Sequence, residues 1–433
     1  MSTGRSRRTR DATALATGSA LSGLLAYVFF AATTRALGAQ AAGPVSVLWS
    51  YWTFAGAALT FPVQHWIART VAAHGEGAVR SAARSLGVVT GTAAAVLTVL
   101  AWSVRESLFG RGDPWFPLMV GLVTLGSALV GVVRGGLAAR GRLVALGCSL
   151  VAENTLRCLA VGGLLLTGVR SPTAFGLCLV AGHLVVVLWP SAMRYARVRG
   201  AAAASGPMAF LAGAGAAQLV AQSVLTGGPV VLALAGGGQG QVTTLFAALA
   251  LFRAPYMLAL GLVSALTARV AALVVAGQDH RVRSLRRVLL PATAAAAGLA
   301  AVVGAWPGPE LLGVVFGADV VLPRDQGALT ASSCTLAIGN LVLVVLALAH
   351  DRAGSAARSW LAALAAAVVA YPALLSLSAP LRITACLLVA ELVAFIALGL
   401  AGRRRPWSRR GAPRTRTAGP GGAAPAGRGP SAR

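Results

Sequence analysis

Four charged side chains stand inside otherwise apolar stretches, and their types decide what chemistry the chain could do. Arg253 lies in "TLFAALALFRAPYMLALGLVSAL" (244–266), two residues before Pro255. Glu153 and Arg157 lie in "SLVAENTLRCLAV", and Glu391 in "LLVAELVAF". A guanidinium is a permanent cation whose planar fork grips phosphate oxygens two at a time, whereas a carboxylate in the same setting can take up a proton or a cation. Placing any of them in hydrocarbon costs at least about 2.5–3.5 kcal/mol on insertion scales, so each needs a partner or a task. The i,i+4 spacing of Glu153 and Arg157 lets them pair on one helix face.

Two arrangements satisfy these charges. In one, Glu153 neutralises Arg157 and Glu391 neutralises Arg253, tying helices together. In the other, some of them line a watery cavity in which Arg253 holds a diphosphate while Glu153 or Glu391 titrates and couples protons. Pro255 lacks an N–H and frees a carbonyl one turn earlier, which makes it a hinge candidate, although prolines are also ordinary in membrane helices. Arg35 belongs at a cavity mouth or at an interface, where arginines snorkel. Gln218 and Gln222 share one helix face and, with Asn154, could hydrogen-bond sugar hydroxyls or join helices. His183 reads as a packed imidazole, and the small-xxx-small match in "GVVRG" (131–135) carries little weight in a chain with 52 glycines.

The elements that must position these groups follow from composition. Of 433 residues, 57% are hydrophobic and 11% charged, with a mean hydropathy of +0.76, more apolar surface than a water-soluble core can bury. The chain therefore reads as an all-α polytopic membrane protein. At about 20 apolar residues per span, twelve transmembrane helices are expected, centred near residues 24, 54, 95, 126, 155, 182, 221, 254, 297, 338, 368 and 391. Counting from the ends of their spans at about 1.5 Å per residue puts Arg253, Glu153 and Glu391 at one depth, about 15 Å in. The domain reading is a basic N-terminal tail (1–11), a first lobe (12–200), a second lobe (201–402) and a basic disordered tail (403–433).

All 37 basic residues are arginines, against 11 acidic ones. With the N-terminus inside, 29 arginines fall in inner loops and tails and six in outer loops. By the positive-inside bias this places both termini in the cytoplasm and the chain in the cytoplasmic membrane. The net charge of +26 then reports topology and attraction to anionic inner-leaflet lipids, not nucleic acid. The five cysteines sit in apolar runs without metal-ligand spacing, so neither a metal nor another cofactor is expected. No Walker A, GxSxG or HExxH pattern occurs, and no enzyme is expected.

The two halves repeat at an offset of roughly 200 residues. "RTVAAHGEGAVRSAARSL" corresponds to "RVAALVVAGQDHRVRSLRRVL", "ESLFGRGD" to "LLGVVFGAD", and "RALGAQAAG" to "ALAGGGQG". Six helices per repeat, an even number, make the repeats parallel and leave a cavity between two six-helix lobes. In "TRALGAQAAGPVSVLWSYWTF", in "FRAPYMLALGLVSALTARVAALVVAGQDHRVRSLRRVL" and in "LLGVVFGADV", the chain resembles the polysaccharide and lipid-linked oligosaccharide exporters of the multidrug/oligosaccharidyl-lipid/polysaccharide (MOP) superfamily.

That resemblance, over about residues 12–400, implies a flippase moving a polyprenyl-diphosphate-linked sugar between leaflets by alternating access. Its partners would be the lipid-linked substrate and glycosyltransferases or a polymerase of the same pathway. The chain departs from the fourteen-helix lipid II flippases in having twelve spans. It also lacks the acidic residue that cation-coupled multidrug exporters often carry in the first helix, where Asp11 stands only at the edge. A multidrug exporter of the same superfamily and a non-transporting scaffold for envelope polysaccharide synthesis are the alternatives.

Overall fold

The computed structural model describes residues 2–196, 216–276, 278–350 and 352–401, and these are helical with no strand among them. The first lobe begins with α1 (Ser2–Ala55), which passes through a π-helical turn (Gly56–Thr60) into α2 (Phe61–His74). It continues with α3 (Glu76–Ser103), the short α4 (Arg105–Phe109), α5 (Trp115–Ala139), α6 (Leu143–Leu166) and α7 (Pro172–Ala181), which tightens into 3-10 turns over Gly182–Leu188. The second lobe holds α8 (Ala216–Thr226), α9 (Gly228–Leu234), α10 (Gln239–Val275), α11 (Asp279–Ala305), the short α12 (Pro307–Phe316), α13 (Arg324–Ala349), α14 (Ala353–Ala373) and α15 (Ala379–Ala401). The predicted lobe boundary at 200/201 and the tail 403–433 lie outside the described residues.

Among the described residues nine helical runs are long and apolar enough to cross a membrane. The first, Thr13–His74, is 62 residues long, about 93 Å at the helical rise and enough for two crossings. Its path breaks at Gly38 (φ 76, ψ 165), a backbone conformation that side chains oppose; a Cβ there would also stand 3.2 Å from an Asp319 carboxylate oxygen. That single glycine suffices to break the path. The sixth predicted span is the shorter run Pro172–Leu188, and the seventh divides into α8 and α9 at Gly227.

Close backbone approach shapes the packing. A Cβ on Gly18 would fall 2.8 Å from the Gly147 carbonyl oxygen, so α1 and α6 touch main chain to main chain. Between the lobes, the second half of α1 meets the start of α10. Thr243 Oγ1 donates to the Ala39 carbonyl at 2.7 Å, the Gly240 N–H donates to Gln40 Oε1 at 2.9 Å, and Ser46 Oγ donates to Thr243 Oγ1 at 3.5 Å. This seam lies at the end of the bundle that the arginine distribution assigns to the outside. Below it, Phe30 meets Trp49 of its own lobe and Phe246 and Phe316 of the other, at centroid distances of 5.8, 4.5 and 5.4 Å, a dry aromatic plug shared by both lobes.

Candidate functional site

In the first lobe α5 and α6 lie side by side, and the charges they carry meet at Glu153. Its two carboxylate oxygens each accept from a different arginine, Arg157 Nη2 at 2.5 Å and Arg134 Nη2 at 2.6 Å. Arg157 spends its other donors on the Leu179 carbonyl (3.0 Å) and on Asn154 Oδ1 (2.8 Å), and its guanidinium carbon lies 4.2 Å from the centre of the Trp52 ring. Arg134 also donates to Ser149 Oγ at 3.2 Å, and Asn154 donates to Ser22 Oγ on α1 at 2.8 Å. Gly182 is small for this reason, since a Cβ would lie 2.3 Å from Arg157 Nε. Arg157 is fully buried and Glu153 and Arg134 nearly so. Each Arg157 nitrogen has a partner, and Glu153 and Arg157 are buried in a closed ionic network.

Sequence reasoning missed Arg134. It belongs to α5, not to a loop, and pairs there with Glu153. The unbroken apolar run through Leu137 was the signal that could have found it. His183 is buried beside Gly126, with Nδ1 3.0 Å from the Val180 carbonyl oxygen.

The second lobe treats its charges differently. Arg253 is half-buried on α10, with no hydrogen-bond or ion-pair partner among the described residues, and its Nε is shut away from any acceptor. Tyr27 of α1 donates to the carbonyl of Ala250, three residues before Arg253 on α10. Arg253 thus stands where the lobes face each other, about 10 Å along α10 from Phe246 of the aromatic plug. The expected pairing with Glu391 does not form. Glu391, fully buried on α15, instead accepts from Asn340 Nδ2 at 2.7 Å, the same group reaching its main-chain carbonyl at 2.9 Å. Glu391 Oε1 and Asn340 Oδ1 are buried acceptors without donors.

The remaining candidates scatter. Arg35 crosses between lobes to cap the end of α12, Nε donating to the Val315 carbonyl at 3.0 Å and Nη2 to that of Val314. Cations at a helix C-terminus are favoured by the exposed carbonyls there. Gln222 is half-buried on α8, and the side chain of Gln218 lies outside the described residues. Pro255 lies within α10, where Leu251 loses its usual N–H partner.

No family model matches the chain, and no curated protein sequence does. Solved structures do match. An inward-facing multidrug resistance MATE family transporter of the MOP superfamily superposes with a TM-score of 0.64 at 17% identity, over 89% of this chain and 94% of that one. The lipid II flippase MurJ in an inward closed conformation gives 0.65 at 10% identity over 90% and 88%. The eukaryotic MATE transporter AtDTX14 gives 0.61 at 17% over 93% and 96%. Coverage near nine-tenths on both sides makes the likeness one of whole architecture: the chain has the two-lobed, all-helical fold seen in MATE transporters and in the lipid II flippase.

Proposed function

We propose that the protein is an alternating-access transporter that carries a polyprenyl-diphosphate-linked saccharide from the inner to the outer face of the cytoplasmic membrane. Arg253 carries this reading. It is a permanent cation at the lobe interface, left unpaired among the described residues although Glu391 belongs to the same lobe, and a diphosphate is the ligand its planar fork matches. The flippase likeness supports a lipid-linked cargo. Both termini face the cytoplasm in this reading, anionic inner-leaflet lipids attract the arginine-rich loops, and glycosyltransferases or a polymerase supply and consume the cargo.

Coupling falls to Glu391, whose orphaned Oε1 calls for a proton or a cation. The MATE likeness makes an exporter of organic cations the alternative, and it would require a carboxylate, not Arg253, facing the cavity. The test is leaflet accessibility of a fluorescent polyprenyl-diphosphate sugar in proteoliposomes. Arg253→Ala is expected to abolish transfer, and Arg253→Lys to keep a fraction of it. Full transfer by the Ala variant overturns the phosphate role, and extrusion of ethidium by the parent without lipid transfer selects the multidrug reading.

A further inference from the structure

At the outer end, astride the seam, lies a cavity of about 470 Å³, within the size range of small-molecule sites. Gln40 reaches it from the first lobe, and Gln241, Asp319, Asp325, Gln326 and Ser378 from the second. Part of this polar lining is already engaged. Gln40 Oε1 accepts from the Gly240 N–H, Gln241 Oε1 from the Gly238 N–H at 3.1 Å, and Asp325 Oδ1 from the Gln326 N–H at 2.8 Å.

What remains is a mixed set. The amide NH2 groups of Gln40 and Gln241 point no hydrogen bond elsewhere among the described residues, and the Asp319 carboxylate, the second Asp325 oxygen and the Ser378 hydroxyl are likewise unused. Gln326 is only 3% exposed, yet its Nε2 donor has no acceptor, an arrangement that native interiors avoid unless a ligand or water completes it.

The mixture selects the ligand class. A metal ion or an organic ammonium wants acceptors only, and three carboxamide donors oppose it. A phosphate wants donors only, and two carboxylates oppose it. A sugar hydroxyl both donates and accepts, so carboxylates beside carboxamides suit it on both counts.

We propose that this cavity is a saccharide subsite that holds the sugar hydroxyls of the cargo at the outer end of its path. The proposal rests on the lipid-linked saccharide reading above and on the outward orientation of this end. It adds a consequence for the cycle. Gln40 belongs to one lobe and the other five residues to the other, so a bound sugar bridges the seam and favours its closed state, and separation of the lobes dismantles the subsite and releases the sugar.

The test uses the full chain in lipid nanodiscs and reads saturation-transfer NMR from glucose, galactose, mannose, rhamnose and N-acetylglucosamine at millimolar concentration. At least one sugar is expected to receive saturation. Binding should weaken about tenfold or more in Gln326→Leu and in the double variant Asp319→Asn/Asp325→Asn. The aspartates are exposed, so their double variant tests the site even if Gln326→Leu does not fold. No transfer from any of the five sugars overturns the proposal, as does transfer that survives both variants. A tryptophan-fluorescence response to calcium chloride without any sugar signal also overturns it and makes the cavity a cation site. Because free sugars are read without transport, failure here leaves the Arg253 reading standing, and failure of Arg253→Ala to block transfer leaves this one standing.

Discussion

The two lobes hold their buried charges in opposite ways. Glu153 in the first lobe is gripped by two arginines, and no Arg157 nitrogen is left over. In the second lobe Arg253 and Glu391 keep apart, and each retains a buried atom without a partner. A closed network fixes a geometry, since every member is satisfied only in one arrangement. An open one leaves interaction energy for something that comes and goes. In the proposed transport cycle, this contrast gives the first lobe a supporting part and the second lobe the changeable chemistry.

The largest effect expected from this contrast is on folding. Glu153→Gln removes the one anion between two buried arginines and should lower stability by about 3–5 kcal/mol, read by unfolding in mixed micelles. The concerted change Glu153→Leu, Arg157→Met, Arg134→Leu should recover most of that loss, since apolar replacement of a whole buried ionic group is often neutral or stabilising. If Glu153→Gln were harmless to stability, the closed network would have no supporting part. Arg253→Met should behave in the opposite sense, with stability unchanged or slightly raised while transfer is lost, because no partner in the protein is left stranded.

Glu391→Gln comes next in size. The amide keeps an acceptor for Asn340 and removes the possibility of a buried negative charge, so stability should shift by no more than about 1 kcal/mol. The transport rate should then lose whatever dependence on pH or cation gradient the parent shows. A parent-like gradient response in this variant would remove Glu391 from the coupling role.

The all-helical, membrane-spanning character is legible in the sequence, because apolar run length reports a strong physical constraint. Partner choice is harder to read. Glu153 and Arg157 announce themselves by i,i+4 spacing, but Arg134 joins them from another helix, and only tertiary packing decides that. The same applies to Glu391, whose equal predicted depth with Arg253 suggests a pair, whereas rotation about the helix axis turns it to Asn340. Depth follows from counting residues; azimuth depends on neighbours. The Gln326 cavity was invisible for a further reason, since its residues come from four separate stretches of chain, each an ordinary loop or helix end.

The lobes also differ in how their long helices can bend. The π-turn Gly56–Thr60 interrupts the long helical path of the first lobe, and Pro255 stands inside α10 of the second. Each lobe thus weakens one long helix, one by an extra residue in the turn and the other by a missing N–H. In the first lobe Thr60 Oγ1 ties the turn to the Ser127 carbonyl at 2.9 Å, so that hinge is held, while among the described residues no side-chain bond is seen at Pro255. A π-turn reflects one inserted residue, so deleting Ala58 should restore a regular helix without changing the register beyond it. Pro255→Ala does the same for α10. Both variants should stay within about 1 kcal/mol of the parent in stability. If the lobes swing about both points, either variant slows transfer. If the unheld second lobe does the moving, only Pro255→Ala slows it, and the asymmetry seen in the charges then extends to the motion.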